Sequence, residues 1–406
     1  MADSILLRRV LLKNYKSIAN CSVQLGPLNF LVGPNGAGKS NFLDALRFVT
    51  ESLNTSLDHA LRERGGIAEV RRRSSGHPTH FGVRLEFELP DATCGHYAFR
   101  IGALPDRGFE VQQEECFVHG PRALDPSHYY KVECGRVVDS DPKMVPAAAA
   151  DRLYLVAASG LPEFRPLYDA MVRMGFYNLN PDVIRDLQTP DSGEVLRRDG
   201  GNLASVLNLL ARDHAEAKGL IVEMLGAVVP GVLDVSVKQI HKKETIEFRQ
   251  KVGNNEAPWR FSAENMSDGT LRALGVLTAL FQSLNGGARR VPLVGIEEPE
   301  VAVHPGAAGV LRDALQVAAK NTQVIVTSHS PDLLDDKDVR DDWVLAVVNE
   351  NGETRIGPLK ESDRTLMRDR LFTAGELLRQ GALVPELRTD RETSSEPLGL
   401  FGEAEA

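Results

Sequence analysis

The chain has 406 residues, of which 42% are hydrophobic and 25% are charged, and its formal net charge at pH 7 is −9. These values are ordinary for a globular protein, and the length suits two lobes or one large α/β domain with an insertion. The acidic balance argues against a surface coated with basic charge for gripping nucleic acid, although it allows one local basic surface.

Cysteine spacing and the length of the apolar runs predict a chain that works in a reducing cytoplasm. The 4 cysteines lie far apart without a CxxC pair, which gives neither a zinc spacing nor a disulfide framework. The first apolar runs are short and are interrupted by Arg8, Arg9 and Lys13, unlike the core of a signal peptide. No run approaches the ~18 apolar residues of a membrane span. We therefore expect a cytoplasmic protein without a membrane partner.

The first part of the chain alternates strand patterns with one helix. Short strands are predicted over three segments: 5–13, 21–25 and 28–32. A helix is expected next because Phe42, Leu46 and Val49 recur at helical spacing. Residues 60–80 are basic and glycine-rich, which predicts an exposed loop. Residues 81–138 alternate apolar and polar side chains in the manner of β-strands.

The second part changes from helical to alternating patterns. Residues 163–228 are mainly helical, and residues 234–262 return to strand-like alternation. Further elements are then predicted in this order: a helix from about 269, a strand at 291–296, a helix at 305–319, a strand at 322–327, two strands within 343–358 and a helix at 365–380. This alternation predicts a parallel α/β sheet. The polar tail from 386 to 406 is expected to be disordered.

The segment GPNGAGKS, residues 33–40, fits the phosphate-loop pattern G-x-x-x-x-G-K-[ST] without a mismatch and lies between an apolar strand and an amphipathic helix. Its backbone N–H groups and the helix dipole favour a bound phosphate. Lys39 is expected to reach the β and γ phosphates, and the Ser40 hydroxyl to bind Mg²⁺. A glycine-rich turn without a ligand is the plain alternative, which the flanking elements disfavour. The candidate ATP contacts are Gly33, Pro34, Asn35, Gly36, Ala37, Gly38, Lys39, Ser40 and Asn41.

An apolar run in VPLVGIEEPE ends on the adjacent carboxylates of Glu297 and Glu298. A desolvated carboxylate is costly unless a cation or a hydrogen-bond donor accompanies it. Beside a phosphate loop, Glu297 is expected to hold the Mg²⁺ shell, and Glu298 to orient and deprotonate the attacking water. The alternative is a surface strand end with incidental acids.

Two further motifs contain residues that could bind phosphate. In MSDGTLR, Ser267 and Gly269 stand before an apolar helix and could offer a hydroxyl and N–H groups to an anion. An ordinary helix N-cap explains the same residues equally well. His329 follows the strand pattern QVIVTS and could hydrogen-bond a γ-phosphate, although a lone histidine is more often structural.

In their order along the chain, these motifs resemble those of the ABC-type ATPases, specifically the RecF/SMC-like branch and, within it, the OLD-type predicted ATPases. The resemblance covers roughly residues 5–385 and is carried by LKNYKSI, GPNGAGKSN, MSDGTLR, GIEEPEVAVHP, VIVTSHSPDLL and FTAGELLRQGALVP. It implies an α/β fold, an ABC-type P-loop ATPase head with a mixed sheet, an antiparallel β subdomain and a helical lobe carrying the signature motif. The implied segments are an N-terminal part of the ATPase lobe (1–140), a mainly helical lobe (141–265), a C-terminal part of the ATPase lobe (266–385) and the tail (386–406).

The resemblance also implies roles for the motif residues, with ATP and Mg²⁺ as cofactors. The implied assignments are Walker A at 33–40, Walker B at Glu297, the catalytic glutamate at Glu298, the signature at 266–270, the D-loop at 301–304, the switch histidine at His329 and a metal-contacting glutamine at Gln188. In this family two heads sandwich ATP, and the signature of one copy caps the nucleotide on the Walker A loop of the other. A homodimer sharing its ATP sites is therefore implied.

Three positions depart from the family pattern. Glu297 stands where aspartate is usual, Asp268 where glycine is commoner, and His304 where the D-loop has aspartate. We expect Asp268 to point away from phosphate or to pair with a basic group such as Arg272. The departures favour slow, switch-like hydrolysis.

The resemblance leads to an expected role as an ATP-driven switch in DNA repair or phage defence, working with a separate effector such as a nuclease, because no Toprim nuclease domain follows His329. The alternatives are a RecF-like clamp that itself binds DNA, a transporter subunit, and a nucleotide-binding scaffold that barely hydrolyses. The arginines at 71–73 could contact DNA, but a solvated basic loop is the favoured interpretation. The acidic run at 332–342 is interpreted as a surface turn rather than a metal site.

Overall fold

The computed structural model describes residues 6–74, 78–105, 108–122, 125–143, 145–253, 257–284, 290–386 and 399–401. These residues form sixteen strands and thirteen α-helices. The strands are β1 (Leu7–Tyr15), β2 (Ile18–Gln24), β3 (Leu28–Val32), β4 (His80–Glu88), β5 (Cys94–Ala103), β6 (Phe109–His119), β7 (Ser127–Glu133), β8 (Arg136–Asp141), β9 (Gly175–Tyr177), β10 (Val232–Ile240), β11 (Lys243–Gln250), β12 (Trp259–Ser262), β13 (Leu293–Glu297), β14 (Gln323–Ser328), β15 (Val344–Glu350) and β16 (Glu353–Pro358). The helices are α1 (Lys39–Asn54), α2 (Leu57–Arg62), α3 (Ile67–Val70), α4 (Leu155–Ala158), α5 (Arg165–Val172), α6 (Pro181–Arg185), α7 (Leu203–Asp213), α8 (Ala215–Val228), α9 (Asp268–Phe281), α10 (Ala308–Ala318), α11 (Pro331–Leu334), α12 (Glu361–Arg368) and α13 (Ala374–Arg379).

A six-stranded mixed sheet carries the sequence motifs. Its order is β16-β15-β3-β14-β13-β9, and every neighbouring pair is parallel except β15 with β16. The central strand β3 is buried at all five positions, as expected of a strand covered on both faces. Because parallel strands end at the same edge, the segments that follow β3, β14, β13 and β9 emerge side by side. The predicted parallel α/β sheet is confirmed.

Two antiparallel sheets complete the fold. A seven-stranded sheet has the order β2-β1-β4-β5-β6-β7-β8, and a three-stranded sheet has the order β10-β11-β12. The buried side chain of Gln323 at the start of β14 joins the first of these to the central sheet, because its amide accepts from the Leu7 N–H at 2.9 Å and donates to the Leu7 carbonyl at 2.8 Å. The predicted antiparallel β subdomain is therefore present and is anchored to the motif-bearing sheet.

The structure corrects several sequence-based expectations about elements. Residues 60–80 are not simply a loop, since α2 extends into this stretch and α3 lies within it, with Ile67 and Val70 buried. The single helix expected at 365–380 is two helices, because Thr373 begins α13 with a capping box. In the tail predicted to be disordered, Leu400 is buried, while 387–398 and 402–406 lie outside the described residues. None of the described helices has the length and apolar character needed to cross a membrane.

The helix that follows the phosphate loop is held by a buried charge cluster around Asp44. Lys16 and Arg64 bring Nζ and a guanidinium nitrogen to 2.6 Å and 3.0 Å from its carboxylate, and the Tyr15 hydroxyl donates to it at 2.9 Å. Burial by itself would raise the pKa of Asp44, but Arg64, Lys16 and Arg47 together hold that pKa well below its usual range. The cluster therefore joins β1 to α1 through a carboxylate that stays ionised in the folded state.

We expect Asp44→Asn to lower the free energy of unfolding at pH 7 by about 3 kcal/mol, because the buried Arg64 loses one of its two carboxylate partners and keeps only Glu51. The folded pKa of Asp44 lies below its unfolded value, so its contribution is complete above the unfolded pKa of about 4 and is lost as the pH falls below it. Urea unfolding of both proteins at pH 7 and at pH 3 measures this difference. A gap between the proteins that is as large at pH 3 as at pH 7 would contradict the assignment.

Candidate functional site

The loop between β3 and α1 has the backbone that a phosphate-binding loop requires. Gly36 and Gly38 have φ angles of 77° and 104°, a region that side chains with a Cβ rarely adopt. Gly33 is fixed for a different reason, since a Cβ there would lie 2.0 Å from the carbonyl oxygen of Val347 in β15. The exposed Ser40 lies in the first turn of α1, so its hydroxyl stands beside the loop.

The Lys39 side chain folds back into this loop. Its Nζ donates to the carbonyl oxygens of Gly33 and Pro34 at 2.7 Å and 3.0 Å. Burial lowers the pKa of Lys39, while the carboxylates of Glu298 and Glu300 raise it. Lys39 follows β3 and Glu298 follows β13, so the loop lysine and the acidic strand end lie at the same edge of the sheet, with only β14 between these two strands.

A network of hydroxyl groups that the sequence analysis missed packs against the phosphate loop and hydrogen-bonds to its backbone. Thr354 in β16 donates to the Ala37 carbonyl at 2.8 Å, and its Oγ1 lies 2.7 Å from the Ser17 hydroxyl. Asn41 in turn donates to Ser17 at 2.6 Å. A Cβ on Gly38 would lie 2.0 Å from Thr354 Oγ1, so the loop packs directly on this threonine. The only available signal was the LKNYKSI motif, which contains Ser17.

The acidic strand end lies two strands from the loop, with β14 between them. Glu297 ends β13 and stands opposite Thr327 of β14, and its carboxylate lies 3.1 Å from the guanidinium of Arg198. Glu298 has a φ angle of 45° and donates its N–H to the Thr327 carbonyl at 3.0 Å. This turn directs its carboxylate to within 3.2 Å of Nδ1 of His329, which follows β14. Glu298 and His329, predicted separately, therefore form one polar pair.

Arg272 of α9 holds the backbone of the acidic strand end. Its guanidinium donates to the carbonyl oxygens of Glu297 and Glu298, each at 3.2 Å, and to that of Leu179 at 3.0 Å. Burial lowers the pKa of Arg272, and the surrounding carboxylates oppose this shift. The expectation that Arg272 pairs with Asp268 is wrong, because the guanidinium is committed to main-chain oxygens.

Asp268 instead pairs with Arg185 at the end of α6, and Arg185 also binds Asp182 at 2.6 Å. The aspartate in the signature motif is therefore neutralised by the helical lobe of its own chain. Such a contact explains how a negative charge is tolerated at a position where phosphate is expected, because the nearby guanidinium compensates it. Sequence spacing could not have found this partner, since the two residues are far apart along the chain.

The signature motif begins a helix and packs against the D-loop. Ser267 is the N-cap of α9, and its side chain accepts from the Thr270 N–H at 3.2 Å, so the ordinary capping interpretation holds in this structure. The same residue is exposed, although its hydroxyl also lies 2.8 Å from that of Thr270. Gly269 packs closely, because a Cβ there would lie 2.1 Å from the carbonyl oxygen of Ala302. The signature and the turn at 301–304 are therefore one packed unit.

The expectation that Gln188 contacts the metal is corrected by its surroundings. The side chain is buried, donates to the Gly200 carbonyl at 3.0 Å and accepts from the Ala204 N–H at 2.8 Å, which holds the start of α7. Asn178 is better placed, because it follows β9, whose last residue Tyr177 stands opposite Ile296, directly before Glu297. Asn178 is exposed. The three-residue strand β9 gave too short a pattern to be predicted.

The remaining charged motifs are occupied by contacts within the chain. Arg72 pairs with Glu353 at 3.3 Å, and Arg73 pairs with Glu69 one helical turn earlier. In the acidic run, carboxylates bind arginines of other segments; the pairs are Asp332 and Asp335 with Arg379, Asp336 with Arg312, and Asp341 with Arg364 and Arg368. These ion pairs support the interpretation of 332–342 as a surface turn. His304 caps the turn after the D-loop by accepting from the Gly306 N–H at 3.0 Å.

The donor set around the loop suits magnesium brought in with a nucleotide. Mg²⁺ keeps several waters and is bound through one or two carboxylates together with substrate phosphates. The Ser40 hydroxyl and the Glu297 carboxylate fit this pattern, and open space lies around Gly36, where a Cβ would meet nothing within 4 Å. Across the part of the chain that is described, no three His, Cys, Asp or Glu side chains are grouped to hold a metal by themselves. The residues fit a metal–nucleotide complex better than a preformed metal cage.

We expect Arg272→Met to slow ATP hydrolysis at least about tenfold while changing the ATP dissociation constant less than about threefold. The reason is that the three main-chain hydrogen bonds made by this guanidinium orient the acidic turn but do not touch the phosphate loop. Steady-state hydrolysis and equilibrium titration with a fluorescent ATP analogue measure the two quantities. Arg212→Met, an exposed arginine on α7, is the matched control. A loss of affinity equal to the loss of turnover would contradict this positioning role.

Comparison with known families finds two separate matches, both to families described as AAA domains. Residues 6–92 match the family described as an AAA ATPase domain, and residues 176–335 match the family described as an AAA domain, putative AbiEii toxin, Type IV TA system. The first match contains the phosphate loop, and the second contains the signature, the acidic strand end and His329. The two matches therefore cover every motif of the candidate site.

A curated relative and two solved structures place the chain more narrowly. The DNA replication and repair protein RecF of Aliivibrio fischeri (strain MJ11) is 42% identical over 41 residues, which cover 10% of this chain and 11% of RecF. A crystal structure of the SMC head bound to the C-winged helix domain of ScpA covers 88% of this chain and 99% of that chain, with 14% identity and a TM-score of 0.54. An SMC head domain with an extended coiled coil, bound to the C-terminal domain of ScpA derived from Pyrococcus furiosus, covers 90% of this chain and 99% of that chain, with 13% identity and a TM-score of 0.50.

These likenesses have different weights. The SMC heads share the fold, and at such low identity they speak for the fold alone. The RecF match is close in sequence but short, so it supports kinship of one segment and not of the whole RecF protein. The two ATPase family matches, the short RecF match and the fold shared with SMC heads agree with the ABC-type, RecF/SMC-like resemblance of the ordered motifs.

Proposed function

We propose that this chain binds ATP with Mg²⁺ at the loop of residues 33–41 and hydrolyses it slowly, with Glu298 as the general base. The observation that carries the proposal is the meeting of three motifs at one sheet edge: the phosphate loop follows β3, His329 follows β14, and Glu298 follows β13 with its carboxylate 3.2 Å from His329. Attack of water on a γ-phosphate requires a general base and phosphate-binding groups at one site.

Each residue has a separate part in the proposed reaction. The backbone N–H groups of the loop and Lys39 bind the phosphates, and Ser40 and Glu297 hold the Mg²⁺ shell, with the exposed Asn178 as a further oxygen ligand in place of Gln188. Bound Mg²⁺ would neutralise charge that develops on the phosphate oxygens. Glu298 takes a proton from the attacking water, and His329 donates a hydrogen bond to the γ-phosphate. The contact between Glu298 and His329 must open before either residue can reach these partners.

The site is proposed to be completed by a second copy of the chain. Ser267 and Asp268 of the signature are exposed, so the start of α9 is available to a nucleotide bound elsewhere. Helix N-termini bind anions through free N–H groups and the helix dipole. A dimer would bring this end of α9 to the γ-phosphate on the partner loop.

We expect Ser267→Arg to block hydrolysis by at least about 30-fold while the protein still binds ATP, because a bulky side chain at this helix start prevents close approach of the partner. Mass photometry with ATP present would then detect monomer where the parent chain forms dimer. Ser262→Arg, which changes a serine just upstream on β12, is the control for added charge and volume. Unchanged turnover in the Ser267 variant would contradict a composite site.

For the biological role, we propose an ATP-dependent switch of the OLD-like type in DNA repair or antiviral defence, located in the cytoplasm and working with a separate effector such as a nuclease. The RecF relative is named for DNA replication and repair, and one matching family is described as a putative toxin, which supports both settings. The test is affinity purification of the tagged Glu298→Gln chain from its native cells with ATP present. A co-purifying nuclease or toxin would support a gated effector. If neither an effector protein nor DNA co-purifies, the proposed role is contradicted.

A RecF-like DNA-binding ATPase is the second candidate, favoured by the same RecF match. Duplex DNA added to the purified chain separates the two. DNA that binds and changes the rate of ATP hydrolysis supports the clamp, whereas unchanged binding and turnover contradict it. The occupied arginines at 72 and 73 do not favour a ready DNA surface at that position.

A further inference from the structure

A short segment around Leu400 is bound to the seven-stranded sheet on the face opposite its core. In β4, Phe81 and Val83 point into the core, so by strand alternation Gly82 and Arg84 point to the other face. Leu400 is only 9% exposed, and a Cβ on Gly82 would lie 2.3 Å from its Cδ1. Leu400 therefore fills a hollow that exists because residue 82 has no side chain.

Two arginines of the same face contact the backbone and the ring of this segment. The Arg84 guanidinium donates to the Leu400 carbonyl at 3.0 Å, and its side chain is 7% exposed. The guanidinium carbon of Arg100 in β5 lies 5.8 Å from the centroid of the Phe401 ring, within the range of a cation–π contact. The sheet thus contacts the segment in three ways: the space at Gly82 holds the Leu400 side chain, Arg84 binds its carbonyl oxygen, and Arg100 lies over the ring of Phe401.

The arginine contacts are built into the sheet and are not chance surface contacts. The Arg84 guanidinium lies 3.5 Å from both Glu86 and Glu115, which fixes its position and compensates its charge. The Nε atoms of Arg84 and Arg100 are buried, and within the described ranges neither has a hydrogen-bond partner. The two guanidinium groups are therefore embedded in the sheet, and the Nε of Arg84 is balanced by the charge of Glu86.

The stretch of chain between Glu386 and Leu400 is long enough for Leu400 to reach the hollow at Gly82 of the same molecule. Glu386 donates its N–H to the Pro358 carbonyl at the end of β16, a strand that packs on β2. In the sheet order only β1 lies between β2 and β4, and neighbouring strands are spaced by about 4.8 Å. Residues 387–398 span about 40 Å when extended, which is ample for this separation.

We propose that the face of β4 and β5 around Gly82, Arg84 and Arg100 is a peptide-docking site that recognises a Leu–Phe pair, and that the chain's own Leu400 and Phe401 occupy it intramolecularly. The specificity has three parts. The hollow at Gly82 selects a branched aliphatic side chain, Arg84 binds the carbonyl oxygen of that residue, and Arg100 covers an aromatic ring. This site is independent of the ATP site and of its proposed reaction.

The first experiment is limited chymotrypsin digestion of the full chain, with intact-mass detection of cleavage after Phe401. The parent chain should be cut there at least about tenfold more slowly than Gly82→Val, whose side chain fills the hollow. Gly219→Val, at an exposed glycine of α8 where an added Cβ would meet nothing within 4 Å, should be cut like the parent. Equal rates in all three chains would overturn the proposal, and protection that disappears on dilution would overturn the intramolecular arrangement.

A second measurement is independent of how well the glycine variants fold. A fluorescein-labelled peptide of residues 395–406 is titrated with the full chain carrying Leu400→Asp, whose own segment is displaced, and with the parent chain, whose site is filled. The peptide should bind the Leu400→Asp chain at least about tenfold more tightly than the parent, and a peptide that itself carries Leu400→Asp should bind neither. Binding that is equal for both chains, or absent from both up to millimolar concentration, would overturn the docking site.

Discussion

Lys39→Ala should weaken ATP binding at least about 30-fold, because it removes a charge-assisted contact to the phosphates that contributes on the order of 2–3 kcal/mol. In the structure, Nζ donates to the carbonyl oxygens of Gly33 and Pro34, which hold it inside the loop. Titration with a fluorescent ATP analogue in the presence of Mg²⁺ measures the loss.

Lys320→Ala is the matched control, because this lysine is exposed at the end of α10. It should bind ATP like the parent chain. Circular dichroism and thermal unfolding of both variants establish that the fold is unchanged. Parental affinity and turnover in the Lys39 variant would refute the assignment of residues 33–40 as the phosphate loop.

Glu298→Gln should retain ATP binding and slow hydrolysis at least about 100-fold, as expected when a general base is lost. The amide keeps the shape of the side chain but cannot accept the proton of the attacking water. It also replaces the carboxylate that lies 3.2 Å from Nδ1 of His329 by a neutral amide. Single-turnover hydrolysis separates the chemical step from nucleotide binding.

The same variant should accumulate as an ATP-bound dimer, because without hydrolysis the chain stays in its ATP-bound state. Mass photometry with and without ATP measures this, and Glu264→Gln, an exposed acid upstream of the signature, is the control. A variant that binds ATP, does not hydrolyse it and stays monomeric would refute the shared site but would leave the general-base role intact. Full turnover would refute the general-base role.

The placement of the motif-bearing segments at one sheet edge could be predicted from the sequence because each motif is local. A phosphate loop is defined by glycines, one lysine and the flanking elements, all within a few residues, and the acidic strand end is defined by an apolar run and two adjacent acids. Adjacent parallel strands then bring them together, as the alternation from 291 to 358 indicated. The prediction that Glu298 and His329 lie at the same edge of the sheet needed only the parallel order of the strands that precede them.

The parts that were missed depend on partners distant in the chain. Gln188 matches a motif position loosely, but hydrogen bonds to Gly200 and Ala204 bury its side chain, which no local pattern reveals. The pairing of Asp268 with Arg185 and the use of Arg272 on main-chain oxygens are likewise set by packing. Leu400 lies in a polar tail whose composition predicts disorder, and a hollow on a remote strand overrides that preference.

The hydroxyl contact between Thr354 and the phosphate loop has a consequence for cutting this protein into pieces. Gly33 and Gly38 are shaped around Val347 and Thr354, and β3 is paired along one side with β15. A fragment that ends after β8, the last strand of the seven-stranded sheet, would retain the whole phosphate-loop sequence. It would lack β15 and β16, against which the loop packs. We therefore expect that the shortest fragment able to bind a nucleotide extends past residue 358. For the same reason, the loop should not bind a nucleotide when it is grafted into another protein without β15 and β16.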